Sequence, residues 1–260
     1  VNVDNPKSAE SLMNLFTHLM HLLGSGAAAY YSASQMRDRQ TRPNVLAGFQ
    51  LVESGSVPFL EALSQRAAQE GDTWLAEKLA KHASDENRHG QIFAHALKQL
   101  NKEVIDFKSL PKKTDEKKSQ QNRNPFFAAY FEGYSTEVLK ADAIDWNVFM
   151  ASTYILELDA GKDFRRMANV LPDDNPSDRN LKLGMLSIVT DETCHAAYLY
   201  EAMMRRMTAD KVQKLTMEWR TRKVNALLAM LGGILQRKGD TPSIVQDVAP
   251  TENEPELIVA

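Results

Sequence analysis

The sequence predicts an all-α protein built as one domain, and three observations carry that prediction. Long stretches of helix-favouring residues place apolar side chains three and four apart, the spacing of one helix face. Alternating β-branched residues between Asn-Gly or Asp-Gly turns, the mark of strands and hairpins, are absent. Capping and turn residues fall where the helical stretches begin and end. At 260 residues, 43% hydrophobic and 25% charged, the chain has the means to bury one large core.

A first helix is expected from Ser8, as N-cap, to about Arg37. A second runs from Pro43 to Gln69 and stops at Glu70-Gly71-Asp72. A third runs from Thr73 to Leu100 with Asp72 as N-cap. The lysine-rich stretch Lys108–Asn124 reads as a solvated connection. Helix resumes at Pro125 and continues to about Val170, with a break near Gly133 or Lys140. The turn Leu171-Pro172-Asp173-Asp174-Asn175-Pro176 ends it. Further helices are expected from Asp178 to Met207 and from Ala209 to Lys238. From Gly239 the chain is proline-rich and acidic, so the helical domain is expected over 1–238 and a disordered tail over 239–260.

Charge and hydropathy exclude several classes. The 31 Lys and Arg nearly balance 34 Asp and Glu, for a net charge of −3, which gives no basic field for nucleic acid or an anionic membrane. No apolar run reaches the roughly 18 residues of a spanning helix. The segment Leu12–Tyr31 follows Asp4 and Glu10 and is interrupted by Asn14, Thr17, His18 and His21. It reads as an amphipathic helix rather than a secretory signal. The single cysteine, Cys194, cannot form an internal disulfide, which points to a reducing, cytoplasmic setting.

An internal repeat carries the chemistry. Asp85-Glu86-Asn87-Arg88-His89 and Asp191-Glu192-Thr193-Cys194-His195 are both D-E-x-x-H within a helix. Residues three apart share a helix face, so a carboxylate and an imidazole converge as a divalent metal requires. With 17 Glu, 17 Asp and 6 His, chance predicts about 0.03 such pentapeptides. Two occur. Further ligands follow from hairpin register. Glu53 and Glu86 are equidistant from the Glu70-Gly71-Asp72 turn, whereas the midpoint of Glu61 and Glu86 falls beyond it. Glu157 and Glu192 are likewise centred on the Asp173–Pro176 turn. Each half is therefore Glu, turn, D-E-x-x-H, and four carboxylates with two histidines would meet inside a four-helix bundle. Hard oxygen donors with only two imidazoles suit iron or manganese better than zinc.

This pattern resembles the ferritin-like di-iron carboxylate proteins, over roughly Pro43 to Met207, with Lys108–Asn124 as the single long crossover between hairpins. The resemblance implies a ferritin-like four-helix bundle, about 43–207, with additional N- and C-terminal helices. It implies two iron ions (Fe/Fe first, Mn/Fe or Mn/Mn as alternatives) held by Glu53, Glu86, His89, Glu157, Glu192 and His195. Glu86 and Glu192 would bridge. Asp85 and Asp191 would each hold the far nitrogen of the opposite half's histidine, and Arg88 would pair with a buried Asp191. The expected activity is O2-dependent oxidation or oxygenation of a small organic substrate. Without a flavin or reductase motif in the chain, electrons would come from a separate donor or from the substrate. The alternative is a ferroxidase, iron-storage or peroxide-detoxifying protein of the same superfamily. The apolar stretch Ala226–Leu235 is expected to pack on the bundle or on a second subunit rather than on lipid, a homodimer being the second of these alternatives.

Other residues have plainer expected roles. Pro58 either kinks a helix beside the metals or marks a fresh helix start. Tyr154 and Tyr198, each one turn from a ligand, are expected as core residues, with redox activity the alternative. Cys194 is expected to be a small buried hydrophobe. His18, His21 and His95 are expected to be incidental, and His82 to be partly exposed beside the ligand face.

Overall fold

Pro43 opens the second helical stretch at a position where its missing N–H is not needed, and Asp72 opens the third by accepting from the Leu75 amide at 3.0 Å. The computed structural model describes residues 19, 24, 26–106, 124–236 and 243–249. It is all-helical apart from one short strand pair. In chain order the elements are a helix over 26–37 (α1), α2 (Arg42–Gln69), α3 (Thr73–Gln99), β1 (Lys102–Val104), α4 (Pro125–Tyr130), α5 (Trp146–Asn169), α6 (Pro176–Arg206), α7 (Ala209–Gln236) and β2 (Val245–Asp247). Gly71 (φ 85°) and Asn101 (φ 54°) turn the chain in the left-handed region after α2 and α3. Ser8, His18, His21 and residues 108–123 lie outside the described residues.

Two antiparallel hairpins, α2/α3 and α5/α6, pack against each other through α3 and α6, while α4 and α5 lie against α7. α2 and α5 stand further apart and meet only through long side chains, the Phe49 ring 5.0 Å from Phe164 and the Phe59 ring 6.1 Å from Phe149. One core cluster forms around Leu63, Leu79, Phe149, Leu199 and Trp219. A second forms around Met36, Leu46, Phe93, Phe164 and Ile188. The polar centre lies between them. Close helix approach depends on glycine. A Cβ on Gly184 would sit 2.6 Å from Ile92 Cγ2, at the α3–α6 contact, and one on Gly161 would sit 3.3 Å from Glu192 Cβ.

Two expectations change, and one open alternative is decided. The helical region after Pro125 is interrupted over the whole of 131–145 rather than at one point. Gly133 turns at φ 86° and Asp145 recaps α5 through the Asn147 and Val148 amides. The 239–260 segment is not uniformly a tail, because β2 pairs antiparallel with β1. Ile244 supports that pairing by donating to Asn44 Oδ1 and accepting from Ile105 N. A three-residue strand held by one partner leaves no alternation for sequence periodicity to detect. Finally, α2 runs unbroken through Pro58. Among the described residues, no helix is long and apolar enough to cross a membrane.

Candidate metal centre

Helical periodicity builds the site. On α3, His82, Glu86 and His89 are spaced i, i+4, i+7 and share one face, and on α6, Glu192 and His195 do the same at i, i+3. The hairpin turns set Glu53 of α2 and Glu157 of α5 at the same level. All six sequence-predicted ligands therefore meet between the hairpins. Together with His82, which the predicted set did not include, they form two groups whose donor atoms lie within 4.8 Å of one another: Glu53, Glu86, His89 and Glu192, then His82, Glu86, Glu157 and His195.

The surroundings of the two motif histidines repeat. His89 Nδ1 lies 3.7 Å from Glu53 Oε2, 3.8 Å from Glu86 Oε1 and 3.5 Å from Glu192 Oε1. His195 Nδ1 lies 3.7 Å from Glu86 Oε1, 3.7 Å from Glu157 Oε2 and 4.0 Å from Glu192 Oε2. Glu86 thus offers one oxygen to both histidines, and Glu192 offers one oxygen to each. Donors about 2.1 Å from an octahedral ion are about 3.0 Å apart when adjacent and about 4.2 Å when opposite, which brackets these separations. His89 Nδ1, His195 Nδ1 and Glu192 Oε2 are buried with no hydrogen-bond partner. Buried polar atoms left unpaired are costly, and a cation between them satisfies all three. The donor set fits a pair of divalent ions.

The far ring nitrogens are held as the duplicated Asp predicts. His89 Nε2 lies 3.2 Å from Asp191 Oδ2, and His195 Nε2 lies 3.1 Å from Asp85 Oδ2, each pair crossing between α3 and α6. Each carboxylate keeps the proton on Nε2 and turns the Nδ1 lone pair toward the cluster. Each Asp also has one cation. Arg88 pairs with Asp191 and donates to Ser187 Oγ at 3.0 Å, whereas Lys81 pairs with Asp85 from its own helix. Sequence comparison of the two motifs found Arg88 but not Lys81, which lies outside the pentapeptide. Asp191 is partly exposed, its side chain 20% accessible, rather than buried.

Protonation alternates around the four glutamates. Burial, reinforced by Glu86, pushes the Glu53 carboxyl well above its ordinary range, and burial with the Glu157 charge does the same to Glu192. Burial also opposes ionisation of Glu86 and Glu157, but polar and charge interactions with Glu53 and His82, and with Glu192, His195 and His82, overcome it and hold both below the usual range.

His82 corrects the sequence expectation. Instead of being partly exposed it is 1% accessible, with Nε2 3.1 Å from Glu86 Oε1 and 3.6 Å from Glu157 Oε1. Its ring stacks on that of His195 at 3.7 Å. The signal was present in the i, i+4, i+7 spacing of His82, Glu86 and His89, but the second half has Ile188 at the equivalent position, so a search for repeats passes over it. Tyr198 is buried as expected and lies 2.8 Å from His82 Nδ1. Tyr154 packs against the core as expected, with its ring on Tyr200. Cys194 is exposed, not buried, because it lies on the outer face of α6.

On one side the cluster opens into a cavity of about 430 Å³ between α2 and α5, which Glu53, Glu86, Glu157 and Glu192 help to line. No protein-family model, curated protein or solved structure matches the chain.

Proposed function

We propose that this chain is an O2-dependent oxidoreductase of the ferritin-like di-iron carboxylate kind, acting on a small organic substrate. The observation that carries the reading is the reciprocal pair of unpartnered histidine nitrogens. Each faces three carboxylate oxygens, and each ring is oriented by an aspartate from the opposite hairpin. Two iron ions bound there would supply the electrons that reduce O2 and the oxidising power that reaches the substrate.

The chain's own residues have separable tasks. Four carboxylates offset the charge of two divalent cations, and Glu86 and Glu192 span both positions. His89 and His195 give each position one neutral nitrogen, and Asp191 and Asp85 fix its direction. Glu53 and Glu157 come from the two helices that border the cavity, so they are the donors placed to shift when a substrate enters. Burial of the cluster keeps bulk water away from it. The cavity beside the carboxylates favours an organic substrate over iron storage, which requires no apolar chamber. Manganese in one or both positions would use the same donors. Electrons would come from a separate donor or from the substrate.

The test is single-turnover oxygen consumption by protein loaded with ferrous iron. Uptake of one O2 per two irons, lost in Glu86→Ala and retained in Glu61→Ala, supports the reading. Glu61 is exposed on α2 and outside the cluster. No uptake by fully loaded protein contradicts it.

A further inference from the structure

The cavity between α2 and α5 says what kind of molecule the centre acts on. α5 lines it with Phe149, Thr153, Leu156 and Ala160, which recur every three or four residues on one face and continue into Glu157. α2 contributes Phe59 and Leu60, about two turns after Glu53, while Phe127 of α4 and Phe131 just beyond its end close the wall. The walls thus carry four phenylalanine rings among aliphatic side chains. Exposed Val52 on α2 and Phe127 on α4, 51% and 38% accessible, flank the chamber where it meets the surface.

Two features restrict the occupant. Among the described residues no lysine or arginine lines the cavity, and its floor is four carboxylates, so an anionic group away from the metals would be desolvated without a counter-charge. Little hydrogen-bonding capacity remains either. Ser56 Oγ already donates to the Glu53 carbonyl at 2.6 Å. Thr153, one turn before Glu157, has no side-chain hydrogen bond among the described residues and supplies a wall hydroxyl free both to donate and to accept. As to size, a cavity of about 150 Å³ holds benzene, so about 430 Å³ admits a molecule of one to three rings.

A second cavity makes the contrast. It measures about 600 Å³, opens between α5 and α6 on the other side of Glu157, and carries Lys162, Arg165 and Arg166. Lys162 and Arg166 are paired with Asp159 and Asp163, while Arg165 has no ion-pair partner among the described residues. An anionic substrate would find its counter-charge there.

We propose that the α2–α5 cavity binds a neutral aromatic substrate of one to three rings, whose single polar substituent hydrogen-bonds Thr153 beside Glu157. This rests on the reading of the centre given above, but binding can be measured without oxygen chemistry.

The experiment is calorimetric titration of the zinc-loaded full chain with 2-naphthol, 2-naphthoate and naphthalene. 2-Naphthol should bind at least about tenfold more tightly than 2-naphthoate. Thr153→Val should weaken 2-naphthol by about threefold to tenfold, the worth of one hydrogen bond, and leave naphthalene unchanged. Gly55→Leu adds bulk at the cavity wall where a Cβ meets nothing within 4 Å, so it should fold normally and weaken both neutral ligands. Tighter binding of 2-naphthoate, or binding lost in Arg165→Ala and unchanged in Gly55→Leu, would overturn the proposal. Failure of naphthol binding in a protein that still consumes O2 refutes this proposal alone. Binding without any O2 uptake refutes the oxidoreductase reading instead.

Discussion

His82 and Tyr198 are joined across the two hairpins, with the ring Nδ1 2.8 Å from the phenol oxygen. The contact leaves His82 Nε2 directed at Glu86 and Glu157. It gives one half of the centre a third imidazole and has no counterpart in the other half. Removing the hydroxyl in Tyr198→Phe should free the His82 ring and lower affinity at one of two bound divalent ions, by roughly tenfold on the scale typical of outer contacts to metal ligands. Competition with a chelator of known affinity measures it. Equal weakening at both ions, or none, would show that His82 stands apart from the metals.

The aspartates that hold the histidines give a second prediction. Asp191→Asn and Asp85→Asn keep the shape of the side chain but remove the charge that fixes the ring tautomer. Each should reduce divalent-metal affinity by about 10-fold to 100-fold. In Asp85, burial opposes ionisation, but hydrogen bonds from His195 and Lys81 prevail and bring the carboxyl down to about 2. A depressed carboxyl stabilises the fold above its unfolded value near 3.8 and loses that contribution as pH falls toward 2. Acid titration of Asp85→Asn, followed by circular dichroism, should therefore show a shallower loss of stability below about pH 4 than the parent.

At neutral pH the sign reverses for the metal-free protein. Glu53 and Glu192 keep protons in the folded chain that the unfolded chain releases above its value of 4.5, so stability falls as pH rises. Burial alone would lower His82 and His195. Tyr198, Glu157 and Glu86 raise His82 instead, and Asp85 and Glu157 raise His195, so both act in the same direction above 6.5. His89, lowered chiefly by burial, opposes them. Glu86 and Glu157 titrate below this window. The melting temperature of metal-free protein should decline from about pH 5 to about pH 8, and a divalent metal should abolish the decline. A rise across that range without metal would contradict the assignment of protons.

Gly184 faces Ile92 where α3 meets α6, and an added Cβ would sit 2.6 Å from a methyl of a side chain stiff at χ1. Gly184→Ala should cost about 1–3 kcal/mol through overpacking. A denaturant titration reads this directly. Gly26→Ala, on exposed α1 with nothing within 4 Å, should cost nothing and serves as the control.

Particular residues show what could be read in advance. The register linking Glu53 to Glu86 and Glu157 to Glu192 was legible because two short turns fix helix phase, and the duplicated Asp because it precedes each Glu. Lys81 and His82 were harder to read, since a repeat search discards what occurs once. Cys194 was misplaced because a small apolar residue within a ligand motif can still point outward from the helix. The β1–β2 pair leaves no mark in the sequence, because three residues on each side carry no periodicity. The cavity draws on α2, α5 and the segment from α4 to Phe131, and only the packed bundle brings Phe59, Phe131 and Phe149 together.

The most direct test of the two-ion centre is metal content by elemental analysis of protein produced with iron, compared between the parent, Glu53→Ala and Glu61→Ala. The account predicts two ions per chain in the parent and in Glu61→Ala, with a clear loss in Glu53→Ala. At most one tightly bound ion in the parent, or a greater loss in Glu61→Ala than in Glu53→Ala, would contradict it.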